Sequence, residues 1–228
     1  MTLLSRVGLA RGTGLLYLVV VLTGIFSLAY VPAQLVVDGD GAATVARIAA
    51  SEGLFRLGIA AGFVCYLAFL LLPFAFQRLL GDVHPTAAML MVVLAVVSVP
   101  ISLYNLTHKL EILRVVGSAL PADQQGTAVL TELARYGSGL QVAQLFWGLW
   151  LFPLGFLIWR SRRLPRLLGA LLMLGCIGYL VNVFGTTLSA GYPDSSLAAF
   201  ATRPAALGEI GTCLWLLIVG ARAAEGDP

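Results

Sequence analysis

From Gly12 to Val37 the chain carries no Asp, Glu, Lys or Arg. A helix that crosses the hydrocarbon core of a bilayer needs about 20 consecutive, mostly apolar residues, and this run exceeds that. Hydrocarbon offers no partner to a free backbone N–H or C=O, so such a segment crosses as a helix. Further apolar runs follow, and their spacing predicts crossings at about residues 12–37, 53–76, 85–108, 136–159, 165–188 and 204–219. The expected fold is all-α: a polytopic membrane protein forming one domain over residues 1–228, a bundle of six transmembrane helices. Composition agrees. Hydrophobic side chains make up 59% of the chain and charged ones 11%, against about 25% charged in an ordinary soluble domain. The first run is much longer than the roughly 7–15 apolar residues of a secretory leader, so it is read as a retained helix.

Lys and Arg in short loops stay on the cytoplasmic side. The stretch "RSRRLPR" between the fourth and fifth segments holds Arg160, Arg162, Arg163 and Arg166. With six crossings, Arg6, Arg11, Arg78 and Arg222 fall on the same side, which puts both termini inside. Arg47, Arg56, Lys109, Arg114, Arg135 and Arg203 fall on the other side, in longer loops that mix acids with bases. Tyr17 and Trp159 are expected near the cytoplasmic interface, and Tyr30, Tyr104, Tyr136 and Tyr192 near the outer one, where amphipathic rings collect. The net charge of +3 forms no basic stripe on a polar face, so nucleic acid is excluded as a partner; membrane lipids are the expected surroundings. Cys65, Cys176 and Cys213 sit in apolar runs without metal-ligand or redox spacing. His84 and His108 lie at opposite faces, and no cluster has zinc geometry. No metal or cofactor is expected.

Small residues suggest where helices meet. "GIAAG" at Gly58–Gly62 has the spacing that lets two helix backbones approach closely, and Gly148, Gly155, Gly169, Gly175, Gly178 and Gly185 stud the fourth and fifth segments. Pro73, Pro100 and Pro153 each remove one helical hydrogen bond and predict kinks. The stretch Gly117–Gly137 is expected to break at Gly117 and Pro121, with a short amphipathic surface helix over Thr127–Arg135 before the fourth crossing.

At 1.5 Å per helical residue, depth can be counted along each segment. Asn105 and His108 close the outer end of the third segment. Gln141 and Gln144 fall roughly 8–12 Å inside the fourth, Asn182 roughly 9 Å below the outer end of the fifth, Glu209 roughly 8 Å into the sixth and Arg56 about one turn into the second. The expectation is a polar layer in the outer third of the bundle, in which Arg56 and Glu209 meet or share a network with His108. Ser98, Ser102, Asn105 and Lys109 share one helical face, and Lys109 is expected to reach out to water.

Three stretches carry a resemblance: "SEGLFRLGI" (Ser51–Ile59), "FWGLWLFPLGFLIWRSRRLPRLLGALLMLGCIGYLVN" (Phe146–Asn182) and "RPAALGEIGTCLWLLIVG" (Arg203–Gly220). Together they resemble the bacterial membrane-protein family catalogued as domain of unknown function 4386. The resemblance implies a six-helix protein of the prokaryotic cytoplasmic membrane and supplies no activity. The family pattern has a histidine before the Tyr-Gly pair that opens the fourth segment; here that position is Arg135, so a role for that histidine does not carry over. The residues support a first reading, binding or transport of a small molecule or amphiphile, with Arg56, Asn105, His108, Gln141, Gln144, Asn182 and Glu209 as the site. The alternatives are an accessory or scaffold subunit whose polar layer is structural, with a protein partner the sequence does not name, and an intramembrane enzyme using His108 and Glu209. The sequence leans away from the enzyme.

Overall fold

The apolar runs are mostly helical in the computed structural model, which describes residues 3–221, with side chains from Val7 onward. Arg222 and the side chain of Arg6, both counted with the cytoplasmic arginines, lie outside the described residues. No strand occurs among the described residues. The helices are α1 (Leu3–Ile25), a π-helical turn (Phe26–Tyr30), α2 (Val31–Leu35), α3 (Gly41–Ala50), α4 (Glu52–Leu80), α5 (Pro85–Val116), α6 (Ala122–Leu149), α7 (Leu151–Ser161), α8 (Arg166–Leu188), α9 (Ser196–Ala201) and α10 (Arg203–Ile218). Five helical stretches are long and apolar enough to cross a membrane: Val7–Leu35, Glu52–Leu80, Pro85–Val116, Ala122–Ser161 and Arg166–Leu188. The sixth crossing expected from the sequence falls on α10, which has 16 residues, about 24 Å at the helical rise.

Prolines shape the helices unevenly. Pro73 and Pro100 are carried inside unbroken helices. Pro153 has no N–H for the carbonyl of Leu149 and its ring crowds that carbonyl; the helix is interrupted at Trp150, between α6 and α7. Pro32 follows the π-helical turn, which is considered with the site.

The chain forms two compact units. One comprises Val19–Leu67 and Pro100–Gln141. Its core joins Val31, Leu35, Ile48, Phe55, Ile59, Ile112, Val115 and Val129, with Leu113, Val116 and Leu133 against it. This core corrects the sequence reading of residues 109–135. No loop separates a surface helix from a fourth crossing that begins at Tyr136. Instead α5 continues to Val116 and α6 starts at Ala122. Ile112, Val115, Val129 and Leu133 recur at helical spacing, so burying them keeps both helices wound beyond the purely apolar stretches. Asp40 caps α3 by accepting from the Ala43 N–H at 2.9 Å. Gly41 packs on the backbone of Gly126.

The other unit comprises Met1–Leu18, Ala68–Val99 and Val142–Pro228. Tyr17, Leu72, Phe76, Met91, Trp150, Leu151, Leu154 and Leu157 are fully buried in it. The backbones of α7 and α8 touch: a Cβ on Gly155 would lie 2.5 Å from the Gly169 carbonyl oxygen, and one on Gly169 2.6 Å from that of Gly155. Along α8, Gly175 meets Ala205, Leu172 meets Gly208 and Leu168 meets Gly211. Rising numbers on α10 therefore run against falling numbers on α8, and the two helices are antiparallel.

Candidate functional site

The residues singled out by sequence gather around several separate polar centres. The buried face of α5 is the stripe read from spacing: Ser98 is buried, and in the unit containing Val19–Leu67 and Pro100–Gln141 the stripe continues with Ser102, Asn105, 3% exposed, and Lys109, 4% exposed. Asn105 Nδ2 donates to the Tyr136 carbonyl at 2.9 Å. Its amide fits because position 139 is glycine; any Cβ there would run into the Asn105 side chain. Lys109 does not reach out to water as expected. Its Nζ donates to the Ser27 carbonyl at 3.0 Å and lies 4.6 Å from the centroid of the Tyr136 ring.

The local cause is Pro32. In the π-helical turn the Val31 N–H bonds the Phe26 carbonyl, five residues back. The next donor in that register is residue 32, aimed at Ser27, and proline has no N–H. Lys109 supplies the missing donor. A buried carbonyl left unpaired is costly, and more so where no water reaches.

His108, partly exposed, pairs with Glu132 rather than Glu209: Nδ1 and Oε2 are 2.7 Å apart. The other Glu132 oxygen accepts from Arg135 at 2.5 Å. Glu132 is 8% exposed and was missed by sequence reading because it fell in the stretch taken for a surface helix. Its i,i+3 relation to Arg135 was the available signal. Arg56 is 61% exposed at its side chain and bonds Glu52, one turn back, at 2.6 Å. The expected Arg56–Glu209 pair is therefore not the one these side chains form. An i,i+4 neighbour on the same helix is within reach at little entropic cost, and the sequence reading overlooked it. The Gly58–Gly62 face is also occupied: Gly58 packs on Val31, and Gly62 on Ser27 and Leu106.

In the second unit Glu209 is partly buried and accepts a 3.0 Å hydrogen bond from the Tyr17 hydroxyl. Tyr17, expected in an interfacial belt, is 1% exposed. Its ring meets Phe76 edge-on at 5.8 Å and Trp150 at 6.4 Å between centroids. Among the described residues no Lys or Arg forms an ion pair with Glu209.

Asn182 lies elsewhere on α8. Its Oδ1 accepts from the Tyr192 hydroxyl at 2.5 Å and its Nδ2 donates to the Ala198 carbonyl at 3.3 Å, which ties residues 189–201 to the helix. Gln144 is partly buried, one turn before Gly148, which packs on Tyr179; that places Gln144 toward the Asn182 end of α8. Gln141 is also partly buried.

Glu209 does not share that level. It lies between Gly208, against Leu172, and Gly211, against Leu168. From there to Asn182 is about 15–20 Å along α8 at the helical rise. The depth count failed because it placed the start of segment six at the outer rim. In fact Ala201 and Ala205 already pack beside Gly178 and Gly175, in the middle of α8. Glu209 and Asn182 therefore lie at different levels along α8 and not in the common layer expected from the sequence. Among the described residues no group of three or more His, Cys, Asp or Glu could hold a metal ion.

Comparison with known proteins adds family but no activity. An uncharacterized protein of the archaeon Archaeoglobus fulgidus is 25% identical over 154 residues, covering 63% of this chain and 88% of that relative. No solved structure matches. The family model described as Domain of unknown function (DUF4386) matches residues 13–220, almost the entire length over which these helices run, and the chain belongs to the DUF4386 family.

Proposed function

We propose that this chain is a single-domain, six-crossing protein of the prokaryotic cytoplasmic membrane, with both termini inside, that binds a small cationic molecule or amphiphile at Glu209. The sixth crossing is α10. Its antiparallel course along α8, from Ala205 beside Gly175 to Gly211 beside Leu168, supports a return toward the side from which α8 starts. That side carries Arg160, Arg162, Arg163 and Arg166, and basic residues favour the cytoplasm.

The observation that carries the binding reading is the partner of Glu209. An ionised side chain within a membrane span costs at least about 2.5–3.5 kcal/mol near the centre, and such groups mark functional sites. Here the hydrogen-bonding partner is a neutral phenol, Tyr17, held at 3.0 Å by rings that fix its orientation. A ligand cation supplies the missing counter-charge, which a neutral solute does not. Tyr17 orients the carboxylate and is not consumed by the pairing.

The test is a thermal-shift series on detergent-purified protein, with amphiphilic amines and neutral analogues of matched chain length. Amines are expected to stabilise the wild type more than the neutral analogues do. Glu209→Gln is expected to lose that difference while melting at or above the wild-type temperature without ligand, since it removes an uncompensated charge. Equal responses of wild type and Glu209→Gln to the amines would refute the assignment, and so would a Glu209→Gln variant that no longer folds.

The accessory-subunit reading draws support from the other polar side chains. Asn105, Lys109 and Asn182 all donate to backbone carbonyls, which is the behaviour of groups that set helix register. Co-purification of one stoichiometric protein partner, with no amine response, would favour it.

A further inference from the structure

The turn between α7 and α8 carries Arg160, Arg162, Arg163 and Arg166 and sorts them by direction. Arg163 turns inward and is 6% exposed. It donates to the Leu79 carbonyl at 2.6 Å and to both carboxylate oxygens of Asp82, at 2.7 and 2.5 Å. Its charge is matched, and its role is to hold the turn against the end of α4. Arg160, Arg162 and Arg166 are all exposed. The Arg166 guanidinium lies 5.6 Å from the centroid of the Trp159 ring, and Trp159 is itself 43% exposed.

Arg162 stands at φ 56°, the sole non-glycine residue with positive φ among the described residues. This left-handed conformation crowds the Cβ of an L-residue, and at a helix end it is ordinarily taken by glycine. A strained backbone position filled by a long cationic side chain directs attention to what that side chain does. The same turn places a half-exposed tryptophan beside the arginines, a ring that favours the water–lipid boundary. Guanidinium groups bind phosphate with paired, charge-assisted hydrogen bonds. At that boundary, the phosphate on offer in quantity is the lipid head group.

We propose that the α7–α8 turn is a head-group site for an anionic phospholipid, whose phosphate is held by Arg160, Arg162 and Arg166 beside Trp159. The proposal rests on the chain spanning a membrane and not on the Glu209 reading. Arg163 belongs to the scaffold of the site, and its substitution would confuse folding with binding.

The strain at Arg162 provides a variant that separates the two. Arg162→Gly removes one guanidinium and relieves the backbone, and in neutral detergent without added lipid it is expected to remain folded. Phosphatidylglycerol is expected to stabilise the wild type more than phosphatidylcholine of the same acyl chains. Arg162→Gly should lose part of that difference, and Arg160→Gln combined with Arg166→Gln most of it. Native mass spectrometry should show phosphatidylglycerol retained on the wild type and shed by the variants. Equal stabilisation by the two lipids, or an undiminished difference in Arg162→Gly, would overturn the proposal. So would a shift of equal size from inorganic phosphate, which would make the ligand a free anion. Recovery of the chain from the soluble fraction without detergent would overturn the membrane reading itself, an outcome distinct from failure of lipid selectivity.

Discussion

Gly169→Leu is expected to remove folded protein from detergent extracts, while Gly137→Ala is expected to raise the melting temperature. Both glycines lie within helices, α8 and α6, and a propensity scale treats them alike. Their surroundings differ. A Cβ at position 169 would lie 2.6 Å from the Gly155 carbonyl oxygen and 2.9 Å from the Trp159 amide nitrogen. Both are backbone atoms, which cannot rotate aside as a side-chain tip can. The reciprocal contact at Gly155 is as tight, so α7 and α8 would have to separate along their length. Overpacking commonly costs about 1–3 kcal/mol where side chains can yield; a leucine wedged between two backbones is expected at or above the upper end. Lipid does not drive the helices back together, because close packing itself is the main attraction between them. At Gly137 nothing lies within 4 Å of the added Cβ, and alanine there gains about 0.5–1 kcal/mol of helix propensity. Fluorescence-detected size exclusion and thermal melts of both variants check the pair. Wild-type behaviour of Gly169→Leu would mean that the α7–α8 contact is not as close as described.

Lys109→Met is expected to destabilise the protein by about 1–3 kcal/mol, the cost of a buried carbonyl left without a partner. Methionine nearly reproduces the length and bulk of the lysine stem, so cavity formation contributes little. What disappears is the donor to the Ser27 carbonyl and the cation over the Tyr136 ring. The specific claim is that the lysine compensates for a proline, and a double-mutant cycle tests it. Pro32→Ala restores a backbone N–H to the end of the π-helical turn, where it can donate to the preceding carbonyls. In the Lys109→Met background this substitution is expected to recover about 1 kcal/mol more than it does in wild type, within the range of coupling seen for groups sharing one interaction. Additive effects of the two substitutions would refute the link between Pro32 and Lys109.

How much of the site was legible in sequence depends on the range of each interaction. The buried stripe Ser98, Ser102, Asn105 and Lys109 followed from spacing along one helix, because a face repeats every three to four residues. The close approach at Gly58–Gly62 followed from small-residue spacing in the same way. The partners did not follow. Lys109 finds a carbonyl 82 positions away and Glu209 a phenol 192 positions away. Arg56 turned to Glu52 on its own helix, a short-range pairing that the search for a distant acid overlooked. The error over Glu209 has a particular source. Counting residues assumes that a helix starts at the membrane surface, and whether α10 starts there depends on how residues 189–205 fold back on α8.

The amino-acid sequence by itself determined that this chain is helical and suited to hydrocarbon, because charge-free runs of such length have no other way to satisfy their backbone in lipid. It also determined which faces of those helices carry polar atoms. Only the tertiary structure decided which polar atom meets which. Glu209 lies with Tyr17, His108 with Glu132, and Lys109 with the carbonyl that Pro32 leaves without a donor. The physical reason is that periodicity governs direction within one helix, whereas register between helices is set by backbone contacts such as Gly155 on Gly169 and Gly208 on Leu172.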